Sequence, residues 1–153
     1  MVGVGKSSVL EEITSILERE GSGYAVVELD DLAVLPRTDP SRPLHDELVE
    51  RLAAFWAGTR TERLVLARFL ERPEQLRSIR QALPDVDLFV VRLVAPPALI
   101  EKRLRARDEG AELEEHLAFL RAGDPSGFED AVVEIGNRSP REIATEVLAA
   151  AGW

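Results

Sequence analysis

Short apolar segments alternate with amphipathic segments along the chain, and this alternation limits the folds it can adopt. The strongest strand signal is the apolar run from Asp87 to Ala95, and helices are indicated where apolar residues recur every three or four positions. The predicted strands are residues 24–30, 63–69, 87–95 and 131–135. The predicted helices are residues 6–20, 44–57, 72–83, a segment opened by Pro97, 113–121 and a last helix capped by Ser139. This order predicts an α/β fold in three α/β/α layers, with a mostly parallel sheet.

The composition excludes several classes of function. The 153 residues are predicted to form one domain, and the formal net charge of −9 disfavours binding to nucleic acid or to an anionic membrane surface. Cysteine is absent, which excludes thiol chemistry, and the two histidines, His45 and His116, are too few and too far apart to suggest a metal cage. The first residues lack a signal-peptide pattern, and no apolar run could span a membrane. We therefore expect a cytoplasmic protein.

A glycine-rich segment at the start of the chain runs directly into the first amphipathic helix. Such a loop turns backbone N–H groups inward around an anion, and the helix N-terminus adds its positive dipole end. Lysine is rare here, because the chain holds 17 arginines and only two lysines, at positions 6 and 102. The pattern therefore favours a phosphate-binding P-loop over a flexible start of chance composition. The predicted nucleotide-binding residues of the loop are Gly3, Val4, Gly5, Lys6, Ser7 and Ser8.

The chain begins one position too late to contain the whole P-loop pattern. Counted back from Gly5, its first glycine would precede Met1, and the strand that normally feeds such a loop is missing. Either the coding start lies further upstream, or the chain is a truncated and decayed protein. In both cases we expect the sheet of this chain to lack its first, central strand. The two strand edges left open at that place would make self-association an expected property.

The loop and four further motifs occur in a characteristic order. They are Gly3-Val-Gly-Lys-Ser7, Glu28-Leu-Asp30, Arg103-Leu-Arg-Ala-Arg107, Gly136-Asn-Arg-Ser-Pro140 and Gly152-Trp153. In this the chain resembles the P-loop small-molecule kinases of the shikimate, gluconate, adenylylsulfate and nucleoside monophosphate type. It looks closest to uncharacterised actinobacterial ATP-binding proteins. The resemblance covers nearly the whole chain and implies ATP and Mg²⁺ as cofactors.

Asp30 is the main candidate outside the loop. It is predicted to end a buried strand, at the sheet edge where ligands bind in parallel α/β folds. A carboxylate there could hold Mg²⁺ through water, together with the hydroxyl of Ser7, or accept a proton from a substrate hydroxyl. Asp31 could share or take this role. The alternative is a polar strand end without chemical function.

The resemblance also implies roles for three segments in the second half of the chain. Arg103 would stack on the adenine, and Arg107 would reach the phosphates. The turn with Asn137 and Arg138 would line the adenine pocket, and residues 108–127 would form a lid over the nucleotide. Each segment has an alternative interpretation. The two arginines could form a basic helix end that complements the helix dipole, the turn could be a plain connection, and residues 108–127 could be an ordinary surface helix.

The sequence thus favours a phosphotransferase that moves the terminal phosphoryl group of ATP to a small acceptor, with Lys6, Asp30 and Arg107 as its catalytic residues. The rival interpretation is a non-catalytic or degenerate nucleotide-binding protein. It is suggested by the broken loop and by the end of the predicted strand at 63–69, where Arg68 or Glu71 falls near the place at which many P-loop proteins have a metal-binding aspartate.

Overall fold

The computed structural model describes residues 3–21, 23–34, 36–123 and 126–153, and the side chain of Val34 lies outside this description. The helices are α1 (Lys6–Glu20), α2 (Leu44–Gly58), α3 (Pro73–Ala82), α4 (Pro97–Arg107), α5 (Gly110–Ala122) and α6 (Pro140–Ala150). The strands are β1 (Tyr24–Glu28), β2 (Arg63–Ala67), β3 (Val91–Val94) and β4 (Ala131–Glu134), and a 3₁₀ helix spans Leu29–Val34. None of the described helices combines the length and the apolar character that a membrane crossing requires.

The chain divides into two compact units, which we name by their contents. The loop unit comprises Met1–Ile13 and Phe89–Trp153, and the β1–β2 unit comprises Thr14–Leu88. Helix α1 begins in the loop unit and ends in the β1–β2 unit.

The β1–β2 unit is built on two parallel strands. Tyr24 pairs with Arg63, and the register continues to Glu28 and Ala67. Its core is formed by apolar residues of β1, the 3₁₀ helix, α2 and the end of α3, because their three- and four-residue spacing turns one face inward. The buried members are Val27, Leu29, Leu48, Val49, Leu52, Ile79 and Leu83.

The loop unit holds the second parallel pair. Val91 pairs with Ala131, and the register continues to Val94 and Glu134. Helices α4 and α5 pack together through Ile100, Leu104 and Leu117, each no more than 2% exposed. Against β4, helix α6 buries a further apolar stripe, whose members are Ile143, Ala144 and Leu148.

The parallel strands and the helix positions confirm the predicted α/β class, but the described strands form two two-stranded sheets rather than one. β2 is paired with β1 and β3 with β4, and no further strand occurs in the described part of the chain. This pattern is consistent with a sheet that lacks its central strand.

Four predicted elements have a boundary that is wrong by two residues or more, and one of them is the strand predicted at 63–69, which ends at Ala67. The strand predicted at 24–30 ends at Glu28, because the next six residues form the 3₁₀ helix. The strand predicted at 87–95 is reduced to Val91–Val94, since the Asp130 carboxylate accepts the N–H of Val90 at 2.7 Å before the ladder begins. The short helix predicted at 113–121 is the longer α5, which begins at Gly110.

The start of α6 confirms its predicted capping box. The hydroxyl of Ser139 accepts the backbone N–H of Glu142 at 3.3 Å, and the Glu142 carboxylate accepts the backbone N–H of Ser139 at 2.8 Å. Pro140 occupies the first helical position, where its missing N–H has no helical partner to lose. The helix therefore begins where local sequence alone places it.

Candidate functional site

The glycine-rich loop has two glycines with positive φ on either side of a buried residue. Gly3 and Gly5 have φ values of +77° and +98°, in the left-handed region that residues with a Cβ rarely adopt. Val4 between them is 1% exposed and anchors the loop in the interior. Helix α1 begins at Lys6, directly after the second glycine, so its N-terminal dipole end lies at the loop.

The charge distribution around this helix start favours an anion. The first turn of α1 contains no acidic residue, so this turn places no carboxylate of its own at the N-terminus. Lys6 is half-buried, and Ser7 and Ser8 are exposed. The residues present therefore fit a bound polyphosphate: backbone amides and the Lys6 ammonium meet its charge, and the Ser7 hydroxyl is accessible to a Mg²⁺ ion.

Arg103 of α4 lies against the loop. Its Nη1 atom donates a hydrogen bond to the backbone carbonyl of Val4 at 3.2 Å. A Cβ built on Gly5 would lie 3.6 Å from the same Nη1 atom. The guanidinium, which the resemblance assigned to adenine stacking, thus adds a positive charge directly beside the loop.

Helix α4 also approaches the first glycine of the loop very closely. A Cβ built on Gly3 would lie 2.9 Å from Cδ2 of Leu104 and 3.5 Å from Cγ2 of Ile100. The first of these distances is shorter than real Cβ contacts, so only glycine fits without a shift of α4 or of the Leu104 side chain. Both the conformation and the packing therefore require glycine at position 3.

Arg107 is engaged differently from what the resemblance implies. Its Nε and Nη2 atoms donate to the two carboxylate oxygens of Asp108, at 2.5 and 2.9 Å. Asp108 is 3% exposed and also accepts a hydrogen bond from Nδ1 of His116 at 2.6 Å. The Arg107 guanidinium, opposed by burial and aided by His116, holds the pKa of Asp108 at about 2. Asp108 therefore offsets the charge that Arg107 would bring to a phosphate.

In the turn before α6, the arginine side chain bonds to neighbouring residues of the same segment. Arg138 donates to the backbone carbonyls of Glu134 and Glu142, at 3.1 and 3.2 Å, and forms an ion pair with Glu146 at 2.5 Å. Asn137 is exposed. This network secures the connection from β4 to α6, which supports the alternative given above for this turn.

In the β1–β2 unit, Asp30 lies in the first turn of the 3₁₀ helix, and its side chain is 53% exposed. It forms an ion pair with Arg68, which follows the last residue of β2 and is 16% exposed. Burial lowers the pKa of Arg68, partly opposed by Glu71, but an arginine stays charged in proteins. The Arg68 Nε atom is buried and has no hydrogen-bond partner among the described residues. Asp30 is thus paired with a cation that has hydrogen-bonding capacity left.

The predicted lid, residues 108–127, corresponds largely to α5. This helix is secured by the burial of Leu117 against α4, and residues 124 and 125 lie outside the described residues. The same segment contains a feature that the sequence interpretation missed. Asp108, Glu112 and His116 bring their ligand atoms within 4.8 Å of one another. Their regular four-residue spacing is the signal that could have revealed this cluster, whereas a search for paired histidines could not.

Comparisons with known proteins give structural matches only. No protein-family model matches the chain, and no curated protein is significantly similar to it in sequence. The APS kinase CysC of Mycobacterium tuberculosis, solved with AMPPNP and APS, is 23% identical with a TM-score of 0.66, over 100% of this chain and 94% of that one.

Two further solved structures show the same likeness. A gluconokinase from Sinorhizobium meliloti is 25% identical with a TM-score of 0.62, over 99% of this chain and 87% of that one. The Deinococcus radiodurans tunicamycin resistance protein is 16% identical with a TM-score of 0.62, over 98% and 90% of the two chains. These matches confirm the predicted fold class: the chain has the α/β fold of the P-loop kinases that act on small molecules.

Proposed function

We propose that this chain is an ATP-dependent phosphotransferase that transfers the terminal phosphoryl group of ATP to a small acceptor bearing a hydroxyl or phosphate group. The observation that carries the proposal is the loop at Gly3–Gly5, which enters α1 in a left-handed conformation with the Arg103 guanidinium beside it. The likeness to solved kinases supports it at the level of the fold. Because ATP is the donor, we place the reaction in the cytoplasm. We also expect relatives among actinobacterial ATP-binding proteins.

In this proposal the loop binds the phosphates of ATP. The amides of the loop and of the first turn of α1 surround the phosphate oxygens, and Lys6 extends to the outer phosphates as a mobile charge. Arg103 adds a second positive charge from α4. Mg²⁺, held by the hydroxyl of Ser7, would offset the remaining negative charge on the phosphates.

Asp30 is proposed to orient the acceptor and to accept the proton of its hydroxyl group. Its carboxylate is paired with Arg68, and a positioned carboxylate is a group that can accept such a proton. The Nε atom of Arg68 is buried without a hydrogen-bond partner among the described residues, and burial lowers the pKa of the Arg68 guanidinium. Another acceptor atom would therefore stabilise this guanidinium. We therefore favour an acceptor that carries an anionic group, because such a group would supply that missing hydrogen bond.

Residues 108–127 are proposed to close over the nucleotide as a lid, with Arg107 at its base. For this role Arg107 must exchange Asp108 for a phosphate oxygen, since both carboxylate oxygens of Asp108 now hold its guanidinium. The second candidate function is nucleotide binding without phosphoryl transfer. The pairing of Arg107 with Asp108 favours it, because a neutralised arginine contributes little to the transition state.

Calorimetric titration of the full chain with ATP and Mg²⁺ tests the proposal, with Lys6→Ala and the matched control Lys102→Ala. Lys102 is exposed on α4, so its loss should leave the affinity unchanged, whereas loss of Lys6 should weaken binding by ~10-fold or more, a cost of about 1.4 kcal/mol. Equal affinity in all three proteins would contradict the P-loop assignment.

Phosphoryl transfer from labelled ATP to a panel of small alcohols, sugar acids and nucleotides decides between the two candidate functions. Transfer that is lost in Lys6→Ala and kept in Lys102→Ala supports the kinase. Tight binding of ATP with no transfer to any member of a broad panel would favour the non-catalytic alternative.

A further inference from the structure

Asp108, Glu112 and His116 form a cluster that the proposed phosphoryl transfer does not use. Asp108 follows the last residue of α4, while Glu112 and His116 lie one turn apart on the same face of α5. One ligand atom from each residue lies within 4.8 Å of the other two, and the His116 Nδ1 atom lies 2.6 Å from Oδ2 of Asp108.

Two of the three side chains are largely removed from water. Asp108 is 3% exposed and His116 is 17% exposed, whereas Glu112 is exposed. A carboxylate at a helix end normally reaches solvent, so its burial beside an imidazole needs a compensating cation. Arg107 supplies that cation here, by donating to both carboxylate oxygens.

The chemistry of the donors indicates which ion could replace Arg107. One imidazole nitrogen and two carboxylate oxygens suit a first-row transition metal ion, and Zn²⁺ in particular is bound by three such ligands and a water molecule. Mg²⁺ prefers oxygen ligands in octahedral geometry and retains several waters, so an imidazole disfavours it.

We propose that Asp108, Glu112 and His116 bind a divalent transition metal ion of the Zn²⁺ type. The ion takes the place of the Arg107 guanidinium on Asp108 and joins the C-terminal end of α4 to the first two turns of α5. Small side-chain rotations suffice for this, because the ligand atoms are already within 4.8 Å of one another. A bound ion would also release Arg107 from Asp108. The site is independent of the proposed function, since its assay is metal binding without nucleotide.

Calorimetric titration of the metal-free full chain with ZnCl₂ tests this proposal, with Glu112→Gln and His116→Gln as the ligand variants. The matched controls are Glu115→Gln, an exposed acid of the same helix outside the cluster, and His45→Gln, which removes the other histidine of the chain. Asp108 itself is left intact because its burial makes a variant prone to misfold. Circular dichroism checks that each variant keeps its helices.

We expect one saturable Zn²⁺ site per chain, with affinity reduced at least ~10-fold in both ligand variants and unchanged in both controls, since loss of a ligand exceeds the effect of losing an outer partner. Arg107→Gln should bind Zn²⁺ at least as tightly as the unmodified chain, because it removes the competing cation. Absence of saturable binding, equal affinity in the ligand variants, or weaker binding in Arg107→Gln would overturn the proposal.

Discussion

The guanidinium of Arg103 holds the backbone carbonyl of Val4 at 3.2 Å and so ties helix α4 to the loop between the two left-handed glycines. Val4 is buried and cannot move without disturbing the interior. The contact therefore does two things at once: it fixes the loop, and it places a permanent positive charge beside it. A residue with the first role alone would be replaceable by any hydrogen-bond donor.

Arg103→Gln separates these two roles. Glutamine can still donate to the Val4 carbonyl but carries no charge, so we expect thermal stability close to that of the unmodified chain and ATP binding weakened by ~10-fold. Arg105→Gln is the matched control, because Arg105 lies on the same helix, is exposed and pairs with Glu101. Calorimetry with ATP measures the difference, and equal affinities in the two variants would show that Arg103 is structural only.

Gly3→Ala should destabilise the chain more than a left-handed glycine elsewhere. The conformation alone costs about 1–2 kcal/mol for a residue with a Cβ, and the added atom would also meet Leu104 at 2.9 Å. Gly152→Ala is the control, since Gly152 has a similar φ of +75° and no atom of the described residues lies within 4 Å of the added Cβ. Urea unfolding of both variants measures the packing contribution as the difference between them. Equal losses in the free energy of unfolding would mean that α4 or the Leu104 side chain shifts without a measurable energetic cost.

Asp30→Asn should lower the rate of phosphoryl transfer by ~10²-fold or more, as expected when a positioned general base is lost. The amide keeps the size of the side chain, but it gives up the charge that pairs with Arg68. ATP affinity measured without metal should change little. Asp31→Asn is the comparison, since Asp31 is an exposed neighbour in the same 3₁₀ helix. An effect in Asp31→Asn alone would transfer the role to Asp31.

Glu47 gives the fold a pH dependence that can be measured. Its carboxylate is 2% exposed, and the Thr38 N–H, Arg37 and Arg51 lower its pKa despite burial. Because the folded pKa lies below the unfolded value of about 4.3, this stabilisation is complete above that pH, declines below it, and is lost as the pH falls through the lower folded pKa. We expect Glu47→Gln to unfold at lower urea at neutral pH and to show a flatter decline in acid.

The control for Glu47 is Glu74→Gln, which breaks an exposed pair with Arg77 in which both side chains are more than 60% exposed. Exposed pairs contribute little, so its urea midpoint should follow that of the unmodified chain at every pH. If Glu47→Gln followed the same curve, the buried carboxylate would not be ionised in the folded chain.

Association in solution is expected to involve the β3–β4 sheet. Its residues in β3 are only half-buried, and Val132 of β4 is 50% exposed. Val132→Glu should lower concentration-dependent association, as measured by sedimentation, because a charge on a sheet opposes contact between copies. Phe119→Glu, at an apolar position on α5 that is 42% exposed, should leave the association unchanged. A chain that is monomeric at every concentration would contradict this prediction.

The parts of the fold that could be predicted are those encoded by neighbouring residues. Helix α1 has the predicted bounds, and α6 begins at its capping box, because each signal spans only a few positions. The end of β1 could not be predicted in this way. Leu29 is fully buried and Asp30 pairs with Arg68, and both facts depend on residues far along the chain that turn the segment into a 3₁₀ helix.

In the candidate site, too, features set by neighbouring residues could be predicted and features set by distant residues could not. The loop glycines and Lys6 could be predicted as a phosphate cradle because such a cradle is a local motif, and their role stays a prediction. The pairing of Arg107 with Asp108 was missed although the two are neighbours, because an aspartate next to an arginine is ordinarily solvated. Only the packing of α5 on α4 buries Asp108 and makes it a strong partner. Long-range burial, which the sequence does not display, therefore decided what the arginine does.

The strand pairings have a consequence for how the chain reaches this structure. Tyr24 meets Arg63 in one sheet and Val91 meets Ala131 in the other. Each pairing therefore closes a loop of about forty residues before its first hydrogen bond forms, and such non-local contacts slow folding. Since helices need only local contacts, we expect the helical signal to develop before the strand amides become protected during refolding. Each strand pair also closes its own loop. In pulse-labelled hydrogen exchange, the amides of β1–β2 and of β3–β4 should then become protected as two separate groups.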